Sequence, residues 1–122
     1  MSTRGIRGAI TVERNSKDAI LEGARMMLQE MVERNDVHPE DIASVLITTT
    51  EDIDAVFPAA AARELPGWEY VPLMCAREIP VPGSLPNCLR VMMLVNTDKR
   101  SDEIHHVFLR DAVKLRPDLV KE

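Results

Sequence analysis

The stretch from Val71 to Asn96, VPLMCAREIPVPGSLPNCLRVMMLVN, decides how the rest of the chain is read. It holds two apolar runs joined by a link containing Pro80, Pro82, Gly83 and Pro86. Proline fixes φ and cannot donate to a strand ladder, so such a link is stiff and holds both runs in place. Cys75, Arg77 and Glu78 stand at the end of the first run, and Arg90 opens the second. A plain core strand has no use for that mixture. If the two runs lie side by side in one sheet, the Glu78 carboxylate and the Arg90 guanidinium face one pocket, and this pair is the candidate active site.

Working outward, 122 residues with 45% hydrophobic content make one domain, 1–122, with a single core. A net charge of -5 argues against nucleic acid or an anionic membrane as partner, because both recruit clustered cations. Aromatics at 3% leave no base-stacking platform. No apolar segment approaches the ~18 residues of a membrane span. Only Lys17, Lys99, Lys114 and Lys121 are lysines; the other basic residues are arginines, whose planar fork matches carboxylate or phosphate. Cys75 and Cys88 lack CxxC spacing and follow no signal peptide, which indicates a reduced, cytoplasmic protein.

In chain order, Arg4 to Val12 reads as a strand with Arg7 at its centre, flanked by Gly5 and Gly8, which let another backbone or a ligand approach. Asn15 or Ser16 caps a helix to about Asn35, with Ile20, Ala24, Met27, Leu28, Met31 and Val32 on its apolar stripe. Ala43 to Thr50 is a β-branched strand, giving a right-handed βαβ unit with the first. Glu51, Asp52 and Asp54 form an acidic loop without the further ligands a metal needs. Phe57 and Pro58 precede a short helix carrying Arg63. Strands are expected at Trp68 to Met74, Leu89 to Asn96 and Val107 to Leu109. His105 and His106 would project to opposite faces and so cannot share a metal. A turn and a loose tail, about 112–122, close the chain.

These blocks carry a resemblance. RGIRGAITVE from Arg4, VFPAAAARE, VPLMCAREIPVPGSLPNCLRVMM and HVFLRDAVKLRPDL together resemble the monofunctional aroH-class chorismate mutases over nearly the whole chain. The resemblance implies an α/β fold with a mixed five-stranded sheet and two helices on one face. It also implies a homotrimer built as a pseudo-α/β barrel, with active sites between subunits. The implied reaction is the concerted rearrangement of chorismate to prephenate, in the shikimate pathway to the aromatic amino acids, with no metal or cofactor.

Carried over by position, Arg90 meets the ether oxygen and one carboxylate of the substrate. Glu78 accepts from the ring hydroxyl, with Cys75 beside it and Ala76 and Arg77 adjoining. Arg7 binds the side-chain carboxylate. Phe57 of a neighbouring chain packs on the ring, with Ala59, Arg63, Leu73 and Met74 completing that wall, and Leu115 and Arg116 lie in a tail over the pocket. Phe108 stands where the family usually has tyrosine, removing a hydrogen bond worth roughly 1.5–3 kcal/mol when made to a charged group. Ala60 replaces a rim lysine, which lowers steering more than turnover.

Residues alone, without the resemblance, support only an acidic α/β domain in which Glu78 and Arg90 form a cross-strand salt bridge. The rival with the same architecture is a non-enzymatic trimeric module that holds small anions or metabolites.

Overall fold

Among the described residues, five strands and two α-helices form the framework. The strands are β1 (Ser2–Thr11), β2 (Ile42–Thr49), β3 (Leu73–Arg77), β4 (Cys88–Thr97) and β5 (Val107–Leu109). The helices are α1 (Lys17–Arg34) and α2 (Ala59–Arg63). The computed structural model describes residues 1–115, so the expected tail is seen only through the 3-10 turns of Arg110–Leu115.

The strands form one mixed sheet in the order β3-β2-β4-β1-β5. β4 runs antiparallel to both β1 and β2, while β2 with β3 and β1 with β5 pair in parallel. Two expectations need correction here. β1 and β2 are parallel and joined through α1, but β4 lies between them, so the βαβ unit is split. The two runs of the Val71–Asn96 stretch are likewise not neighbours, because β2 separates β3 from β4. Their proline-rich link therefore steps across the end of β2, braced by bonds from Val81 N–H to the Ile79 carbonyl and from Ser84 N–H to the Val81 carbonyl.

A third correction concerns Trp68 to Met74. Strand structure begins only at Leu73 and runs on to Arg77. Residues 64–71 form successive turns instead, with Trp68 N–H bonded to the Leu65 carbonyl and Val71 N–H to the Trp68 carbonyl. Gly67 at φ 85 makes the turn possible, since that backbone region is open to glycine at no steric cost. The turns drop Leu65 and Trp68 into the core.

α1 starts where its cap chemistry dictates. The Ser16 side chain accepts from Ala19 N–H at 3.2 Å. Asn15 is used differently: its Oδ1 accepts from the N–H groups of Asp54 and Ala55, tying the acidic loop to the helix entry. Ile20, Ala24, Met27, Leu28 and Met31 are buried against the sheet, and α2 adds Ala59, Ala61 and Ala62 to the same core. Each large side chain buried there stabilises the fold by ~1.5–3 kcal/mol relative to exposure. Both helices cover one face. The other face keeps Leu46, Met74, Met92 and Leu94 exposed.

Among the glycines, Gly8 leaves the least room for a side chain. A Cβ built there would lie 2.3 Å from Met31 Sδ and 3.2 Å from its Cγ, and Met31 is fully buried. On the side a Cβ would occupy, the close approach expected of a backbone or ligand is made by a core methionine. Gly8→Ala should destabilise the protein by about 1–3 kcal/mol through overpacking, read from the denaturant midpoint. An unchanged midpoint would show that Met31 has room to move.

Candidate active site

Strand alternation places the functional side chains. On β4, Leu89, Val91, Met93 and Val95 are buried under the helices, so Arg90, Met92 and Leu94 point to the open face. Arg90 is paired in register with Thr48 of β2 and with Ala9 of β1, and Arg7 is paired with Met92. Arg7 and Arg90 are therefore diagonal neighbours on one face, at a spacing of about 7 Å typical of antiparallel pairs. Two cations so placed repel each other unless an anion lies between them.

A cavity of about 480 Å³ opens on this face, lined by Arg7, Gly8, Ala9, Leu46, Thr48, Arg90, Val91, Met92, Phe108 and Leu115. At its edge Arg90 Nε lies 3.2 Å from Glu78 Oε2. The same oxygen accepts from Thr48 Oγ1 at 2.7 Å. The expected pair thus meets, but across β2 and through Thr48, a residue that sequence reasoning did not single out. Its signal was available only as a polar side chain on the exposed parity of a β-branched strand. The Arg90 side chain is 46% exposed and that of Glu78 17%. A pair this open to solvent stabilises a fold by ~0–1 kcal/mol, too little to make it a structural staple.

Cys88, two residues before Arg90 on the same face of β4, is fully buried in a small cluster with Ala9, Phe108 and Ala112. Burial pushes its thiol up to about 11; the Glu78 charge adds to the rise, and Arg90, which hydrogen-bonds the side chain, opposes it. At neutral pH the sulfur therefore keeps its proton and is not a nucleophile.

A second cavity, of about 570 Å³, lies elsewhere and is lined by Ile53, Val56, Phe57, Pro58, Cys75, Ala76 and Arg77 among others. Phe57 is 74% exposed at its edge. Cys75 belongs here and packs against the main core, so the expectation that it stands beside Glu78 is corrected: residues three apart on an extended segment face opposite sides of the sheet. Arg77 is also committed elsewhere. Its Nη1 donates to the Thr50 carbonyl at 2.7 Å and the Ile53 carbonyl at 3.0 Å, fixing the loop after β2. Ala59 is buried in the core, Leu73 is half-buried against it, and Met74 and Arg63 are exposed; none of the four lines either cavity. Arg116 lies outside the described residues.

The remaining polar residues hold the frame. Asp52 accepts from Asn87 N–H, and Thr50 Oγ1 accepts from Cys88 N–H, which fixes the start of β4 two residues before Arg90. His106 Nδ1 accepts from Arg7 N–H at 3.0 Å, and both backbone groups of His105 bond the Asn35 side chain. Among the described residues no group of three or more His, Cys, Asp or Glu is placed to hold a metal ion.

This geometry belongs to a chain with close relatives. The family model described as Chorismate mutase type I matches residues 3–119. Chorismate mutase AroH of Bacillus subtilis (strain 168) is 50% identical over 119 residues, covering 98% of this chain and 94% of that protein. Chorismate mutase AroH of Thermus thermophilus is 53% identical over 117 residues, covering 95% of each. A solved structure of chorismate mutase from Clostridium thermocellum superposes with a TM-score of 0.86 at 51% identity, over 88% of this chain and 96% of that one. Agreement over almost the full length, in sequence and in fold, settles the family: the chain is a member of the type I chorismate mutases.

Proposed function

We propose that this protein is an isomerase that rearranges chorismate to prephenate in aromatic amino acid biosynthesis. The observation that carries the reading is the Arg90 guanidinium, held by Glu78 at the mouth of a cavity that also presents Arg7. The substrate is a dianion whose two carboxylates match two arginines set apart on one face. In a 3,3-sigmatropic shift the breaking C–O bond gathers electron density on the ether oxygen, and a fixed cation there stabilises the transition state more than the ground state. No base, acid or nucleophile is required, which agrees with a Cys88 thiol that stays protonated. Holding the substrate folded supplies the rest of the rate.

Within this scheme Glu78 accepts from the ring hydroxyl as well as orienting Arg90, and Arg7 takes the side-chain carboxylate. Phe108 forms part of the cavity wall and has no hydroxyl to donate, so substrate binding is weaker while the chemistry is kept. Leu115 lines the same cavity.

The functional unit is a homotrimer with sites shared between chains. Two features support this. The open sheet face leaves Leu46, Met74, Met92 and Leu94 exposed, and an apolar sheet face calls for a partner layer. Arg7 and Arg90 line one cavity and Phe57 another, so within one chain Phe57 does not close the charged pocket. Free Cys75 and Cys88 fit a reducing, cytoplasmic setting.

Purified protein mixed with chorismate should accelerate the loss of its ultraviolet absorbance; no acceleration would leave only the anion-binding module. Arg90→Ala should lower kcat by ~10²–10³-fold, the scale of removing one preorganised electrostatic donor, with a smaller change in KM. A change confined to KM would make Arg90 a uniform binding group. Solution mass measurement should give about 41 kDa, three times the 13.7 kDa chain. A 13.7 kDa species that turns over chorismate would contradict shared sites.

A further inference from the structure

Thr48 lies between the strands that carry the two members of the ion pair. On β2 it is in register with Arg90 on one side and with Ala76, two residues before Glu78, on the other. Its hydroxyl donates to Glu78 Oε2 at 2.7 Å, and Arg90 Nε lies 3.2 Å from the same atom. Glu78 itself lies beyond the end of β3, where only its N–H bond to the Thr49 carbonyl ties the backbone to the sheet.

We propose that Thr48 is a positioning residue for the rearrangement, acting through Glu78 to fix the Arg90 guanidinium. The inference rests on the functional reading above. A carboxylate held by a single arginine turns easily about its terminal torsion, which is broad and roughly two-fold. A second donor on the same oxygen removes that freedom. It commits Oε2 to the protein and leaves Oε1, which no described residue bonds, to face a ligand hydroxyl. Threonine suits the task because branching at Cβ restricts its χ1, so the hydroxyl is aimed before any substrate arrives. The benefit falls on the transition state, since a preaimed cation needs no reorganisation while the C–O bond breaks.

Thr48→Val keeps the shape and the strand preference and removes only the hydroxyl. It should lower kcat by about tenfold, equivalent to ~1.4 kcal/mol of barrier, and leave KM within about twofold. Thr48→Ser restores the hydroxyl and should recover most of the loss. In a Glu78→Ala background the Thr48→Val substitution should cost less than about twofold, because the two residues act as one unit. An unchanged kcat in Thr48→Val, or a tenfold loss that persists without Glu78, would overturn the proposal.

A second readout does not depend on turnover. The Nε–H proton resonance of Arg90, assigned by its loss in Arg90→Lys, should be resolved in the wild type and should move toward the exposed arginines in Thr48→Val. An unmoved resonance would overturn positioning. If wild-type protein fails to convert chorismate, the functional reading falls, while this resonance still decides whether Thr48 fixes the guanidinium.

Discussion

Alternation along β4 is the constraint on which everything else depends. Because side chains change face at every residue, Leu89, Val91 and Met93 cannot enter the core under α1 without sending Arg90 and Met92 to the other side. A slip of one residue would bury a guanidinium and expose four core side chains, so hydrophobic burial itself fixes where the cation goes. The bonds of Thr50 and Asp52 at the start of β4 reinforce the same register. Folding energy and site geometry are therefore set by one sheet, each using its own face.

The open face combines features that make little sense as a stability device. Arg7 and Arg90 line one cavity, and the one carboxylate paired there, that of Glu78, meets Arg90 from the β3 side. An ion pair this exposed contributes ~0–1 kcal/mol, so fold stability does not explain two arginines on one face. Fixed dipoles and charges of this kind accelerate a reaction that moves electrons without moving protons. Cys88 shows the complementary effect, its thiol kept neutral by burial two residues before Arg90 on the same strand.

Much of this was legible in the residues, for physical reasons that also explain the errors. α1 showed itself through its apolar spacing and through Ser16, and β4 through an apolar run too long for anything but a central strand. The pairing of Glu78 with Arg90 was read correctly, its route was not. Nothing local in the sequence says that β2 inserts between β3 and β4, because that order is decided by which strands share the longest apolar contact. The early start assigned to β3 overlooked Gly67, whose positive φ commits the segment to turns before the strand begins. Cys75 was placed beside Glu78 by the resemblance, against the two-residue period that puts it across the sheet. Thr48 was passed over for a related reason: a threonine in a β-branched strand looks like strand propensity, and only tertiary pairing turns it into a donor.

The most direct test is a crystal structure of the protein with a bicyclic dianionic mimic of the rearranging substrate. The account predicts the ether oxygen of the mimic within ~3 Å of the Arg90 guanidinium, at ordinary hydrogen-bond distance, with the ring hydroxyl on Glu78 and a carboxylate on Arg7. A mimic bound away from the Arg7–Arg90 face, or a guanidinium turned from it into solvent, would contradict the claim that this cation performs the electrostatic work.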